Sequence, residues 1–400
     1  MRILTISSKY PYPAKDGGAL AIKALLENFA LLGHKVDFLA ISTPKHPAKV
    51  FPEKSNIRFY TTFVDTTISP IKAIRNIIFS NKPYVAERFY SKDFAEKLKN
   101  LLKRNKYDFV LFEGLYVADY VDIVKKEGLP VIYRAHNVEH IIWERKGKNE
   151  KNLWKKLYIK HLAKRLKKYE LNLIKQFDAI LPITTNDLQL LRKYNIKQPA
   201  QVAPFGININ EEENNKINIE SDNNLAFIGS LDWLPNIEGL WWFLSNVFPE
   251  IYKETHIKLY IAGRNAPLSF EKKITNIKGV VYLGEVDDAL EFIYKHKIHI
   301  VPLLSGSGMR VKVVEAMWHK RLVISSPVGV EGINIIDKEH FLLAQTKDEW
   351  INAIIFAFNN IEEINKIAEK GYKKVGQDYN NEKIVKNTID FIQGIISEKL

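Results

Sequence analysis

The chain contains no cysteine among its 400 residues. That removes disulfides, thiolate zinc sites and cysteine nucleophiles together, and it suits a reducing compartment. No apolar run reaches the ~18 residues that a membrane-spanning helix needs. Met1 to Tyr10 has no long apolar region and runs directly into Pro11 and Pro13, so it does not read as a signal peptide. Short-period repeats and low-complexity tracts are missing too. What is present is ordinary for a soluble globular protein: 46% hydrophobic and 26% charged residues. The length calls for two domains. The net charge of +13 permits an anionic partner, whether membrane, nucleic acid or phosphorylated metabolite, without choosing among them.

Short apolar strands alternate with helical sequence. In the first half the strand candidates are Ile3–Ser7, Val36–Ile41, Asp108–Phe112, Val131–Tyr133 and Ala179–Ile183. A helix is expected from Ala19 to Leu32, stopped by Gly33. The polar stretch Asn208 to Asn224 has the composition of a linker or loop. The alternation then restarts with Leu225–Ile228, a helix over about Ile237 to Tyr252, and strands at Lys258–Ala262, Val280–Leu283, Ile298–Val301 and Leu322–Ser325. Repeated β-α alternation predicts parallel sheets covered on both faces. Two such halves predict an α/β protein of two Rossmann-like domains facing an interdomain cleft. Ligands are then expected at the loops after Ser7, Tyr133, Gly229, Ala262 and Val301, the carboxyl ends of strands. A last helix over about Glu382 to Ser397 is not placed by its pattern.

The strongest chemical signal is Pro302 to Met317, a buried strand running through a glycine-rich loop into a helix. Gly306 and Gly308 let the backbone approach a ligand, and the helix N-terminus offers free N–H groups to a diphosphate. Arg310 and Lys312 add charge where the helix dipole disfavours cations, so an anion is expected beside them. Glu315, one turn on, is able to accept two hydrogen bonds from a ribose diol. A dehydrogenase fingerprint fits poorly, because its third glycine would fall at Val311. Asp16-Gly17-Gly18 ahead of a helix is a weaker signal of the same kind.

Tyr133 to His140 follows a strand. His136 and His140 are four apart, but no H-E-x-x-H pattern surrounds them, so His136 reads better as a hydrogen-bond donor to a sugar hydroxyl or phosphate than as a zinc ligand. Gly229 to Gly239 is strand, turn and helix, with Asp232 and Asn236 placed to hydrogen-bond and Trp233 expected to pack on the helix. Lys146–Gln176 is rich in Lys and Arg, with a helical stripe of Leu153, Leu157, Leu162, Leu166, Tyr169 and Leu173. Its basic face is either solvated or meets an anionic membrane or lipid-phosphate acceptor.

Five segments in order resemble glycosyltransferase family 4, which has the GT-B fold. They are Tyr10 to Gly18 with Leu32 to Val36, Arg134 to His140, Ala203 to Asn208, Gly229 to Asn236, and Gly306 to Met317. The resemblance spans nearly the whole chain. It implies an acceptor domain over residues 1–205, onto which a helix at about 380–400 packs back, and a nucleotide-sugar donor domain over 206–379. It implies a retaining transfer from a UDP- or GDP-sugar to a glycan or lipid-linked acceptor, with no required metal or cofactor. By position, Glu315 would hold the ribose. Backbone N–H groups around Ser307, Gly308 and Met309 would hold the diphosphate, Gly229 and Ser230 would line the donor side, and Leu283 to Val286 would meet the base. Gly17 and Gly18 would lie beneath the diphosphate, and His136 would contact the transferred sugar.

Three positions depart from the family pattern. Ser307 stands where the first glutamate of E-x7-E is expected, Asn236 where a donor-side lysine is expected, and Asn208 where the element between the domains carries aspartate. Arg310 or Lys312 is the expected replacement for the missing cation. Surface-polysaccharide or glycolipid assembly follows as the setting, in the cytoplasm or at the inner face of the membrane. A non-catalytic nucleotide-binding subunit and a nucleotide-sugar epimerase remain open alternatives. Nucleic-acid binding rests on net charge alone, with no recognition motif behind it.

Overall fold

The computed structural model describes residues 1–14, 17–209, 222–306 and 308–398. Asp16, Ser307 and most of the polar stretch 208–224 therefore lie outside the described residues. The chain divides into two compact units: residues 1–206 with 381–400, and residues 207–380.

The first unit holds a six-stranded parallel sheet built from β1 (Arg2–Ser7), β2 (Lys35–Ser42), β3 (Ile57–Phe63), β4 (Phe109–Glu113), β5 (Val131–Ala135) and β6 (Ala179–Pro182). Their order is β3-β2-β1-β4-β5-β6. β4 and β5 are buried throughout, which is why their sequences are apolar up to Glu113 and Arg134 near their ends. One face carries Leu4, Ile6, Val110 and Phe112 against Phe94, Leu98, Leu162 and Leu166. The other carries Ile3, Phe38, Phe109 and Leu111 against Ile22, Leu25 and Phe29 of helix Gly17–Leu31 and Val385, Ile389 and Ile392 of helix Asn381–Ser397.

The second unit repeats this topology with β7 (Asp222–Ile228), β8 (Leu259–Ala262), β9 (Val280–Gly284), β10 (His296–Val301), β11 (Leu322–Ser325) and β12 (Leu342–Leu343). The order β12-β11-β10-β7-β8-β9 is the first order met from the opposite edge. In each sheet the strand order reverses once, between β1 and β4 and between β7 and β10. Crevices form at such reversals, outside the carboxyl ends of the strands.

Three local features differ from the sequence reading. The helix expected over Ile237–Tyr252 is two, Leu234–Asn246 and Phe248–Thr255, separated at Val247. Pro249 cannot donate into a continuing helix and starts a new one. The basic stretch 146–176 is likewise broken: helix Glu139–Asn149 ends, and Asn152 caps a second helix, Leu153–Ile174, by accepting from the Lys155 N–H at 3.0 Å. Leu162, Leu166 and Leu173 of the expected stripe are buried, but Leu153 and Leu157 are exposed.

Candidate functional site

In the second unit the loops after β7 and β10 face each other across the strand-order reversal. They are pressed together closely. A Cβ on Gly239 would lie 2.2 Å from the Pro302 carbonyl oxygen, and one on Gly263 would lie 2.3 Å from that of Gly229. A side chain on Gly229 would strike Asn236 at 2.8 Å and crowd the Lys312 ammonium at 3.3 Å. Gly229, which the sequence singled out, and Gly239 and Gly263 are thus places where backbone and polar groups meet without room for a methyl.

Lys312 lies in the first turn of helix Val311–Trp318. Its Nζ donates to the Ile228 carbonyl and to Asn236 Oδ1, both at 3.2 Å, and sits 4.2 Å from the centre of the Phe227 ring. Both acceptors are neutral. Burial first, then the charge of Arg310, brings its ammonium down to about 7. Asn236 in turn donates to the Ser230 carbonyl at 2.9 Å. The position that departs from the family's lysine is therefore the one that Lys312 reaches, so a cation stands beside Asn236 after all. Asp232 accepts from Ser230 Oγ at 2.5 Å.

Arg310 precedes the same helix and is 7% exposed. Its guanidinium lies 5.2 Å from the centre of the Trp233 ring. Trp233, expected to pack on its helix, is instead the residue at that helix's start, partly exposed under Arg310. Gly306 and Gly308 have φ of 135° and 81°, a backbone that only glycine adopts without strain. Met309 is half-buried between Gly308 and Arg310. Glu315, one turn beyond Lys312, is partly buried, and burial pushes its carboxyl up to about 7.

Val286 packs against the small cluster of Ala226, Ala262 and Phe292, as does Ile228, whose carbonyl Lys312 reaches. A cavity of ≈ 630 Å³ beside Val286 is lined by Asp222, Tyr260, Leu283 and His296 among others. Its lining runs from Asp222 and His296 at the starts of β7 and β10 to Leu283, Glu285 and Val286 at and just past the end of β9.

In the first unit His136 follows β5, and its Nε2 lies 2.5 Å from Glu113 Oε2 at the end of β4. Glu113 is buried, and Arg134 Nη1 lies 3.3 Å from its Oε1. Burial would raise the Glu113 carboxyl, but Arg134 and His136 outweigh it and hold it below its ordinary range. Burial lowers His136. A neutral imidazole beside a carboxylate carries its proton on Nε2 and presents a lone pair on Nδ1. In that tautomer Nε2 is occupied by Glu113 and Nδ1 is the acceptor of the ring. Arg134 also donates to the Ala21 carbonyl at 3.3 Å, tying the cluster to the helix that Gly17 and Gly18 open.

His140 belongs to a different pair. Its Nδ1 lies 2.6 Å from Glu170 Oε2, and Glu170 also accepts from the backbone N–H groups of Glu139 and His140, capping helix Glu139–Asn149. The two histidines face separate carboxylates. Among the described residues no group of three or more His, Asp or Glu is placed to hold a metal ion. The sequence reading missed Glu113, whose only signal is a carboxylate closing an otherwise apolar strand. It also missed the role of Glu139, which accepts from the Tyr116 hydroxyl at 2.9 Å and is pushed up to about 7 by burial and by Glu170.

Two Rossmann-type parallel sheets of this order, with a glycine-rich loop and helix at the reversal of the second, have the GT-B architecture. Residues 15–211 match Glycosyltransferase Family 4, and residues 222–360 match the glycosyl transferases group 1 family. The chain belongs to the family 4 glycosyltransferases and is an enzyme of that class. Over 400 residues it is 26% identical to an uncharacterized 44.6 kDa protein in the cps region of Klebsiella pneumoniae, covering 96% of this chain and 97% of that one. The fold is similar to sucrose-phosphate synthase from Thermosynechococcus elongatus, with a TM-score of 0.72, 16% identity and all of both chains covered. It is also similar to Anabaena HepE in complex with UDP, with a TM-score of 0.67, 12% identity, and 98% of this chain and 100% of that one covered.

Proposed function

We propose that this glycosyltransferase takes a sugar from a UDP- or GDP-sugar, with retention, and passes it to a glycan or lipid-linked acceptor. The observation that carries the reading is Lys312: a buried ammonium in the first turn of a helix, behind a glycine-rich loop, bonded only to neutral oxygens. A diphosphate supplies the negative charge that this arrangement favours. On this reading residues 207–380 hold the donor. Backbone N–H groups at Gly308 and Met309 take the diphosphate, with Gly229 and Ser230 beside it, and Glu315 takes the ribose diol. The first unit serves the acceptor side, with His136 hydrogen-bonding a sugar hydroxyl.

Breaking the sugar–phosphate bond builds charge on the departing oxygen. Lys312, Arg310 and the helix N-terminus stabilise it where burial strengthens their field. No enzyme carboxylate is assigned as nucleophile, so retention follows from attack on the face that the diphosphate leaves. No metal is required in this scheme. The setting we propose is surface-polysaccharide or glycolipid assembly, in the cytoplasm or at the inner face of the membrane; the relative from the cps region supports only the polysaccharide part of it.

Calorimetry of UDP and GDP with the whole chain tests the reading. One of them is expected to bind, and Glu315→Ala to weaken it by about tenfold or more, the worth of hydrogen bonds to a charged group. If neither binds, the UDP and GDP donor classes are excluded.

A further inference from the structure

Helix Pro70–Phe79 in the first unit buries only Ala73 and Asn76. Ile71 and Phe79 are 80% and 81% exposed, and Ile74, Ile77 and Ile78 are exposed with them. Ala73 is the one buried apolar side chain of this helix. The helix is fastened by polar clamps: Ser69 caps its start, and at its end Asn76 donates to Glu87 Oε2 at 2.7 Å and to the Lys82 carbonyl at 2.9 Å. Arg165 reaches from helix Leu153–Ile174 to Asn76 Oδ1 at 3.0 Å and to the carbonyls of Ser80 and Lys82. The helix is therefore held rigidly with its isoleucines turned outward.

The helix that supplies Arg165 continues the surface. Trp154 lies eleven residues earlier, three turns back on the same face and ~16 Å along the axis. It is 81% exposed, with Leu153 and Leu157 exposed beside it. The sequence around these apolar groups is predominantly basic, with Glu87 at the helix end and Asp119 paired to Lys82 at 3.0 Å as the neighbouring carboxylates. Residues 66–82 contain Lys72, Arg75 and Lys82 and no Asp or Glu. Residues 151–169 contain eight Lys or Arg and no Asp or Glu. No helix among the described residues is long and apolar enough to cross a membrane, so any lipid contact made by this surface is peripheral.

We propose that helix Pro70–Phe79 and the Trp154 end of helix Leu153–Ile174 form a docking surface for an anionic lipid bilayer. Isoleucine, phenylalanine and tryptophan enter the headgroup boundary, and the surrounding cations meet lipid phosphates. A second copy of the chain is a poor occupant, because self-association through this face would bring two predominantly basic fields together. The proposal deepens the reading of a lipid-side acceptor and rests on it for its purpose, but lipid binding is measurable without donor or acceptor.

The test is co-sedimentation of the whole chain with phosphatidylcholine vesicles, with and without about one third phosphatidylglycerol. Binding is expected to the anionic vesicles, weakened by high salt and reduced about tenfold or more by Ile74→Glu with Ile78→Glu. The unfolding transition and nucleotide binding of that variant are expected to stay at wild-type values, since both positions are exposed. No binding by the wild type, or equal binding by the double variant, overturns the proposal. So does a dimer in sedimentation velocity that the same substitutions dissolve, since the face then belongs to a second copy. Nucleotide calorimetry reports separately on the donor site, so failure of one reading is not mistaken for failure of the other.

Discussion

A buried ammonium with neutral partners and a buried carboxyl one turn away titrate where most proteins are assayed. Lys312 and Glu315 both sit at about 7. A diphosphate selects charged Lys312. As pH rises through 7 the lysine loses its proton, binding must restore it, and affinity falls. A ribose diol selects ionised Glu315, so affinity also falls as pH drops through 7. Binding of an intact nucleotide sugar, whose diphosphate keeps its charge in this range, is expected to peak near pH 7. Lys312→Arg removes the alkaline limb and Glu315→Gln the acid limb. Calorimetry from about pH 6 to about pH 9 checks this, and a flat profile contradicts it. Turnover is expected to fall about 10²–10³-fold in Lys312→Ala or Arg310→Ala with folding retained. Full activity in both variants would remove the assignment of either as the replacement cation.

Between residues, the donor-side elements are held by contacts too close for any side chain. Helix Leu234–Asn246 lies on Pro302 at Gly239, where a Cβ would be 2.2 Å from a carbonyl oxygen that cannot swing away. Gly239→Ala is expected to cost about 1–3 kcal/mol, the usual penalty of overpacking. It should also weaken nucleotide binding by lifting Asn236 from Lys312, which urea unfolding and calorimetry measure together. Such contacts explain what was legible in advance. The buried strands of both sheets read plainly because a strand covered on two faces is a continuous apolar run. The strands that did not read, β3 and β12, are the outermost of their sheets. β3 mixes Arg58 and two threonines with its aromatics, and β12 has two residues. The glycine-rich loop and Lys312 were visible as a pattern. Glu113 was not, because its partners His136 and Arg134 come from a neighbouring strand more than twenty residues on. The exposed face of helix Pro70–Phe79 was not visible either, since an apolar stripe in sequence does not say whether anything covers it.

At the scale of the whole chain, the first unit is assembled from two separated stretches and the second from one. The parallel bridge of Ile207 with Asn380, with Ile207 N–H donating to the Tyr379 carbonyl at 2.7 Å, ties together the two points where the chain passes between them. Ile392, fully buried in the core of the first unit, belongs to the helix that returns. Ile392→Ala is expected to cost about 2–5 kcal/mol. Hydrogen exchange should show the loss in the amides of β1 and β2 and leave those of β7 and β10 protected. Loss of protection in both sheets alike would mean that the units unfold as one.

That arrangement also sets an order of events on the ribosome. Residues 207–380 are contiguous and can complete their core as soon as they emerge. The half translated first must wait: Ile22, Leu25 and Phe29 can pack on their sheet early, but the part of that core that Val385, Ile389 and Ile392 complete stays uncovered until those residues have been made. The earliest-made sheet is then the last to be closed, and a nascent chain halted before Asn381 carries an uncovered hydrophobic face beside a finished domain.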